Sequence, residues 1–200
     1  MKKVCLIIFL LSCGLLQAQE EETLLGSGKI HHGGFGGPVV KFARVKNEFG
    51  VLVGGYGGWL INHTFMIGGG GYGLSNRIKA DKQIQSLSPG KTQYIQFGYG
   101  GLMLEYISNG NKLFHPMFQL LIGGGNVNYV LYDQFDEDTP GGDNCFTLEG
   151  GASMEMNIVK YMRICLGASY LLVNGIDVQG LDDSDFGGLN LGLTLKFGSF

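Results

Sequence analysis

Residues Gly188-Leu189-Asn190-Leu191-Gly192-Leu193-Thr194-Leu195-Lys196-Phe197 alternate apolar with small or polar side chains without a break. Successive side chains of a β-strand point to opposite faces. One face of this strand is therefore leucine and phenylalanine, and the other is Asn190, Gly192, Thr194 and Lys196. With a secretion signal at the other end of the chain, the pattern predicts a barrel whose apolar face meets lipid, in a bacterial outer membrane.

The signal is short and complete. Met1-Lys2-Lys3 is basic, and Val4 to Leu11 is an apolar run too short to span as an anchor. Ala18 then precedes Gln19 and the acidic run Glu20-Glu21-Glu22, so cleavage is expected near Ala18 or Gln19. This assigns residues 1–19 to a signal peptide, 20–31 to a periplasmic leader and 32–200 to the barrel. A rival reading takes Leu10-Leu11-Ser12-Cys13 as a lipobox with a poor residue, Leu11, before the serine. Lipidation at Cys13 would add an acyl anchor and leave the barrel unchanged.

Composition narrows the alternatives. Glycine is the anomaly, with 36 residues, in a chain 44% hydrophobic and 16% charged. No Gly-X-Y period supports collagen, and the many aromatics oppose disorder. Beyond the signal, no apolar run is long enough for a membrane helix. The 14 basic residues are outnumbered by 17 acidic ones and form no stripe, so nucleic acid is not an expected partner. Of four cysteines, only Cys145 and Cys165 lie past the signal. They fall at opposite ends of neighbouring predicted strands, too far apart to bridge. No Cys-x-x-Cys or His-Cys cluster suggests a metal, and no cofactor motif is present. Gly26-Ser27-Gly28-Lys29 lacks the Ser or Thr that a phosphate loop needs after its lysine.

Turn signals divide the rest into eight strands: about His32–Ala43, Phe49–Ile61, Thr64–Leu74, Thr92–Ile107, Leu113–Leu131, Cys145–Ile158, Tyr161–Val173 and Gly188–Phe200. The fifth is expected to bend near Gly123-Gly124-Gly125. In the fourth, Ile95-Phe97-Tyr99 and Leu102-Leu104-Tyr106 lie in opposite phase, which predicts a bulge near Gly100-Gly101. Even-numbered connections are tight: Asn62-His63, Ser108 to Asn111, and a turn around Val159-Lys160. Three of the four odd-numbered ones are long and polar: Ser75 to Lys91, Tyr132 to Asn144 and Asn174 to Gly187. Tight turns at one end and long loops at the other is the pattern of an eight-stranded, up-and-down, antiparallel transmembrane β-barrel with periplasmic termini.

Two sets of residues follow from that topology. Aromatic girdles are expected at the two interfaces: Trp59, Phe65, Tyr106, Phe114 and Tyr161 on the periplasmic side, and Phe42, Phe49, Tyr94, Tyr129, Tyr132 and Phe146 on the outer side. Lys41, Glu105, Glu149, Glu155, Arg163 and Lys196 are expected to face inward as a lumenal charge network. Glu155 is placed opposite Arg163 across the turn around Val159-Lys160. Eight strands enclose a space just wide enough for side chains to fill, so the network reads as structural rather than as a gate.

The glycine-aromatic segments Gly33-Gly34-Phe35-Gly36-Gly37-Pro38 and Gly54-Gly55-Tyr56-Gly57-Gly58-Trp59, the run Gly68 to Gly73, and the ending Leu195-Lys196-Phe197-Gly198-Ser199-Phe200 resemble small outer-membrane β-barrel proteins of the Bacteroidetes type. The resemblance covers most of the chain after the signal and implies fold and location only. Such barrels are inserted by assembly machinery that reads a terminal aromatic in phase with the outward residues. Phe200 is out of phase with Leu195 and Phe197, which implies either that Phe197 takes that role or that a bulge intervenes before Phe200.

Catalytic, cofactor and metal residues are not expected. The acidic loop residues Asp136-Glu137-Asp138 and Asp182-Asp183-Ser184-Asp185 lack the spacing of a calcium loop. His31, His32 and His63 are placed at the periplasmic rim and His115 just inside it, none with a serine and acid partner at the outer leaflet, where a lipid A-modifying barrel would act. The expected role is non-enzymatic: envelope structure, or surface contact through acidic loops with a ligand the sequence does not name. The alternatives are a narrow ion or small-solute channel, and a secreted lipocalin-like binder with leucines inward and charges outward.

Overall fold

A computed structural model describes residues 30–81, 84, 92–131 and 142–200. The signal peptide, most of the leader, Cys13, Tyr132 and the acids Asp136, Glu137 and Asp138 lie outside the described residues.

Nine strands are present among the described residues: β1 His32–Val45, β2 Glu48–Ile61, β3 Phe65–Leu74, β4 Ile78–Lys79, β5 Gln93–Ile107, β6 Phe114–Leu131, β7 Asp143–Val159, β8 Met162–Asn174 and β9 Gly188–Ser199. Each long strand pairs antiparallel with its neighbour in sequence, and β1 pairs with β9 to close the ring. On the other side β3 pairs with β5 directly, and two-residue β4 adds only to the end of β5. The result is a closed barrel of eight long strands, which leaves no sheet edge open.

The two ends differ, as the turn pattern predicts. At the turn end, β2 reverses into β3 through Asn62-His63, both at positive φ, with Thr64 N–H donating to Ile61 O at 3.0 Å. A two-residue turn of this hand matches strand twist. At the loop end, Lys46-Asn47 makes a similar reversal, with φ of 49° and 61°. The other loop-end connections are long, and the one from 175 to 187 folds back through a short 3-10 turn, Asp183–Asp185.

Side-chain facing follows the period of two. Leu189 and Leu191 are 64% and 55% exposed on the outer wall, whereas Asn190, Thr194 and Lys196 are buried inside. The same sorting places Phe114, Phe118, Leu120, Phe146, Met154, Leu166 and Tyr170 outside, and His115, Met117, Thr147, Glu149, Glu155, Arg163, Cys165 and Ser169 inside. Glycines concentrate where strands approach closely. At Gly37, on the seam with β9, an added Cβ would collide with the Leu195 carbonyl oxygen. Only hydrogen fits there.

Two sequence expectations require correction. The β5 ladder runs in one unbroken register against both β3 and β6, with no bulge at Gly100-Gly101. Ile95, Phe97 and Tyr99 face inward and Leu102 and Tyr106 outward; the phase is constant, and it is the lumen that turns apolar near the loop end. The β6 ladder also passes through Gly123-Gly124-Gly125 in unbroken register, so a bend there needs no shift of pairing. Finally, the β7–β8 turn is centred one residue later, with Val159 paired to Met162 and an irregularity between Asn157 and Val159. Glu155 therefore lies opposite Cys165, and Arg163 opposite Asn157.

Candidate functional site in the lumen

The six charged residues read from the sequence converge inside the barrel as two clusters. The first lies at mid-height. Lys41 Nζ donates to Glu149 Oε1 and Oε2 at 2.8 and 2.7 Å. Tyr99 donates to Glu149 Oε2 at 2.9 Å and Ser169 to Oε1 at 2.5 Å. Lys41 also stands 3.4 Å from the centre of the Tyr72 ring. Lysine and glutamate are both almost fully buried, so each depends on the other: an unpaired charge at such a site is strongly destabilising.

The second cluster lies nearer the turn end. Lys196 Nζ bridges Glu105 Oε2 at 2.8 Å and Glu155 Oε2 at 2.7 Å. Arg163 Nη1 reaches Glu155 Oε1 at 2.6 Å, diagonally rather than straight across the pair. All three of Lys196, Glu105 and Glu155 have fully buried side chains. Phe200 closes the base, stacked on Phe35 at 5.4 Å and lying 3.9 Å beneath the Arg163 guanidinium. Its out-of-phase position thus turns it under the lumen, while Phe197 stays exposed outside.

Sequence reasoning missed several members. His115 Nε2 lies 3.0 Å from Glu155 Oε1, and its Nδ1 lies 3.0 Å from the Lys112 carbonyl. His115 and Glu155 are direct partners across β6 and β7, a register set over a long connection and so not readable from a tight turn. Cys165 Sγ donates to Glu155 Oε2 at 3.2 Å. Both cysteines are free, and the ten positions along β7 between Cys145 and the partner of Cys165 correspond to roughly 30 Å.

Above the clusters, toward the loop end, the lumen is apolar. Ile78, Ile95, Phe97, Val127, Leu171, Leu181 and Phe186 are buried together. Phe97 and Phe186 meet with ring centres 4.7 Å apart. The loops that supply Leu181 and Phe186 are tied down by Lys46: its N–H donates to Asp185 O at 2.7 Å, and its ammonium bonds Gly180 O and pairs with Asp81 at 2.7 Å. The described acids of this end serve the loop itself. Asp183 accepts from Ile176 N–H, Asp185 from Asp182 N–H, and Asp143 from Asp177 N–H. No group of three potential ligands that could hold a metal occurs among the described residues.

Among the described residues, the aromatics expected at the two ends differ in where they face. Trp59, Tyr106, Phe114 and Tyr161 at the turn end, and Phe42, Phe49 and Phe146 at the loop end, are exposed on the outer wall. Phe65 stacks against Tyr106, and Tyr94 lies near Arg77. Tyr129 instead packs against the inner core and donates its hydroxyl to Gln179 O at 3.0 Å. The histidines His31 and His63 lie together at the turn end with ring centres 5.5 Å apart, and His32 stacks on Trp59 at 5.4 Å.

Chemically, two of the three lumenal carboxylates are fully engaged. Glu155 accepts from or faces four partners, and Glu149 accepts from lysine, tyrosine and serine. Leucines outward and charges inward also reverse the arrangement that a lipocalin-like pocket would need.

The architecture defines a class: a closed, eight-stranded, antiparallel β-barrel of the kind seen in small outer-membrane proteins. Solved structures of similar shape bear this out at the level of fold. Neisserial surface protein A (NspA) matches with a TM-score of 0.61 at 10% identity, covering 85% of this chain and 99% of that chain. A major outer membrane protein from Thermus thermophilus matches at 0.52 and 11% identity, over 84% and 100%. The N-terminal β-barrel domain of Pseudomonas aeruginosa OprF matches at 0.50 and 11% identity, over 84% and 96%. No protein-family model matches the chain, and no curated protein matches it.

Proposed function

We propose that this chain is an integral outer-membrane barrel with a non-enzymatic role, in envelope structure or in surface contact through its loops, and that its lumen is sealed. The carrying observation is the inversion of the barrel: leucine and phenylalanine cover the outer wall while paired charges fill the inside. Such a wall is at equilibrium in hydrocarbon, where strands can cross only if every backbone group is paired in a closed ring. The similarity in fold to surface and outer-membrane barrels supports the location. On this reading the turn end faces the periplasm and the long loops face outward. The signal is cleaved near Ala18 or Gln19, and the barrel-assembly machinery reads β9 through Phe197. Lipid is the partner of the wall.

The reading against a channel rests on two successive layers of filling, one charged and one apolar, with the Lys46-tied loops above. Planar-bilayer recording of the refolded protein is expected to give no stable unitary currents. Currents that Glu155→Ala or Arg163→Ala alters would establish the channel instead. Removal of detergent is expected to precipitate the protein; a monodisperse detergent-free sample would rule out the membrane reading. Lipid A from cells with and without the protein is expected to have the same mass spectrum, and a shifted species would identify an enzyme.

A further inference from the structure

We propose that the lumen contains a binding site for an internal water molecule, held between the two ion-pair clusters by the hydroxyls of Tyr56 and Tyr72. The two tyrosines are inward-facing diagonal neighbours, Tyr56 paired with Gly70 and Tyr72 with Gly54 across β2 and β3. They are 6% and 4% exposed. The Tyr72 hydroxyl has no protein partner, and the Tyr56 hydroxyl faces the Glu105 carboxylate without a hydrogen bond of normal geometry, leaving Glu105 Oε1 unbonded. Buried polar atoms are almost always hydrogen-bonded, and leaving one unanswered is costly. A membrane barrel has no water at its outer wall, so the partner must come from within.

Space for it exists. Tyr56 and Tyr72 line a small cavity with Gln119, Ser153, Ser169 and Thr194, with room for about one water. It forms because Gly167 and Gly192 stand opposite each other on β8 and β9 in the inward phase and contribute no side chain.

The surrounding charges select a neutral occupant. Lys41 stands 3.4 Å from the Tyr72 ring centre and Lys196 stands 5.8 Å from that of Tyr56, so a metal cation would be repelled from both sides. Glu105 and Glu149 repel an anion in the same way. Three carboxylates already match Lys41, Arg163 and Lys196. What fits is a small molecule that both donates and accepts hydrogen bonds. Water placed there joins the two clusters into one hydrogen-bonded network, in which each bond polarises the next.

The test uses the whole barrel refolded in detergent micelles. Water-edited NMR should show magnetisation transfer from water to the ring protons of Tyr56 and Tyr72, and none to the ring of Phe97 in the apolar layer. Tyr56→Phe and Tyr72→Phe should each lower the folding equilibrium constant by roughly two- to ten-fold, since each removes a hydroxyl that has a partner. Absence of transfer to both rings would overturn the proposal whatever the stability change. A folding constant unchanged or raised in both variants would overturn it too, because deleting an unpartnered hydroxyl costs nothing.

Discussion

Toward the loop end the lumen is filled by Ile78, Ile95, Phe97, Val127, Leu181 and Phe186; toward the turn end it is filled by Glu105, Glu155, Arg163, Lys196 and His115. Both halves exclude open space, by opposite means. The apolar half is non-directional and takes part of its material from connections, since Leu181 and Phe186 belong to the 175–187 loop and Ile78 to β4. Every polar member of the other half sits on a barrel strand in the inward phase. A one-residue slip there would send its charges onto the apolar outer wall. The contrast teaches that the charged half specifies register, whereas the apolar half closes whatever the register leaves open.

Four variants would break or sharpen that contrast. Glu155→Ala should have the largest effect, because it strands Arg163 and leaves Lys196 with Glu105 alone. A loss of about 3–5 kcal/mol is expected, read from urea unfolding in detergent or lipid; a loss below about 1 kcal/mol would mean that the charges are hydrated in place. Phe186→Ala should follow, at about 3 kcal/mol, since it empties the space against Phe97 but sits on a loop able to relax. A loss larger than that of Glu155→Ala would erase the distinction between the halves. Next comes Lys41→Met combined with Glu149→Leu. The pair should unfold within about 1 kcal/mol of the parent, while either change alone costs several times more. Strict additivity in that cycle would show that the two side chains act independently. Lys46→Ala should be mildest, below about 1 kcal/mol for its partly exposed pair with Asp81. Its clearer signature is faster proteolysis within residues 175–187, monitored by mass spectrometry; an unchanged cleavage rate would remove Lys46 as the tie.

Strand positions were legible because a wall with an apolar outer face and a lumenal inner face imposes a period of two. The expected Leu113–Leu131 strand is observed as Phe114–Leu131, and the expected Phe49–Ile61 as Glu48–Ile61. The apparent bulge in β5 arose from assuming that the lumen is polar throughout. Phe97 is accommodated on the inner face because Phe186 of the 175–187 loop packs against it, and no local pattern announces that. Tyr129 was assigned to a girdle by its place near a strand end, but its phase turns it inward toward Gln179.

By itself, the alternation of side chains determined which residues of this chain face outward and which face inward, since a strand has only two sides. Pairing was left to the closed barrel. That His115 meets Glu155, that Lys196 reaches both Glu105 and Glu155, and that Lys41 finds Glu149 depends on the stagger with which eight strands join into a ring. Those partners lie 40 to 108 positions apart along the chain. Stagger is a property of the whole ring, and so no single segment encodes it.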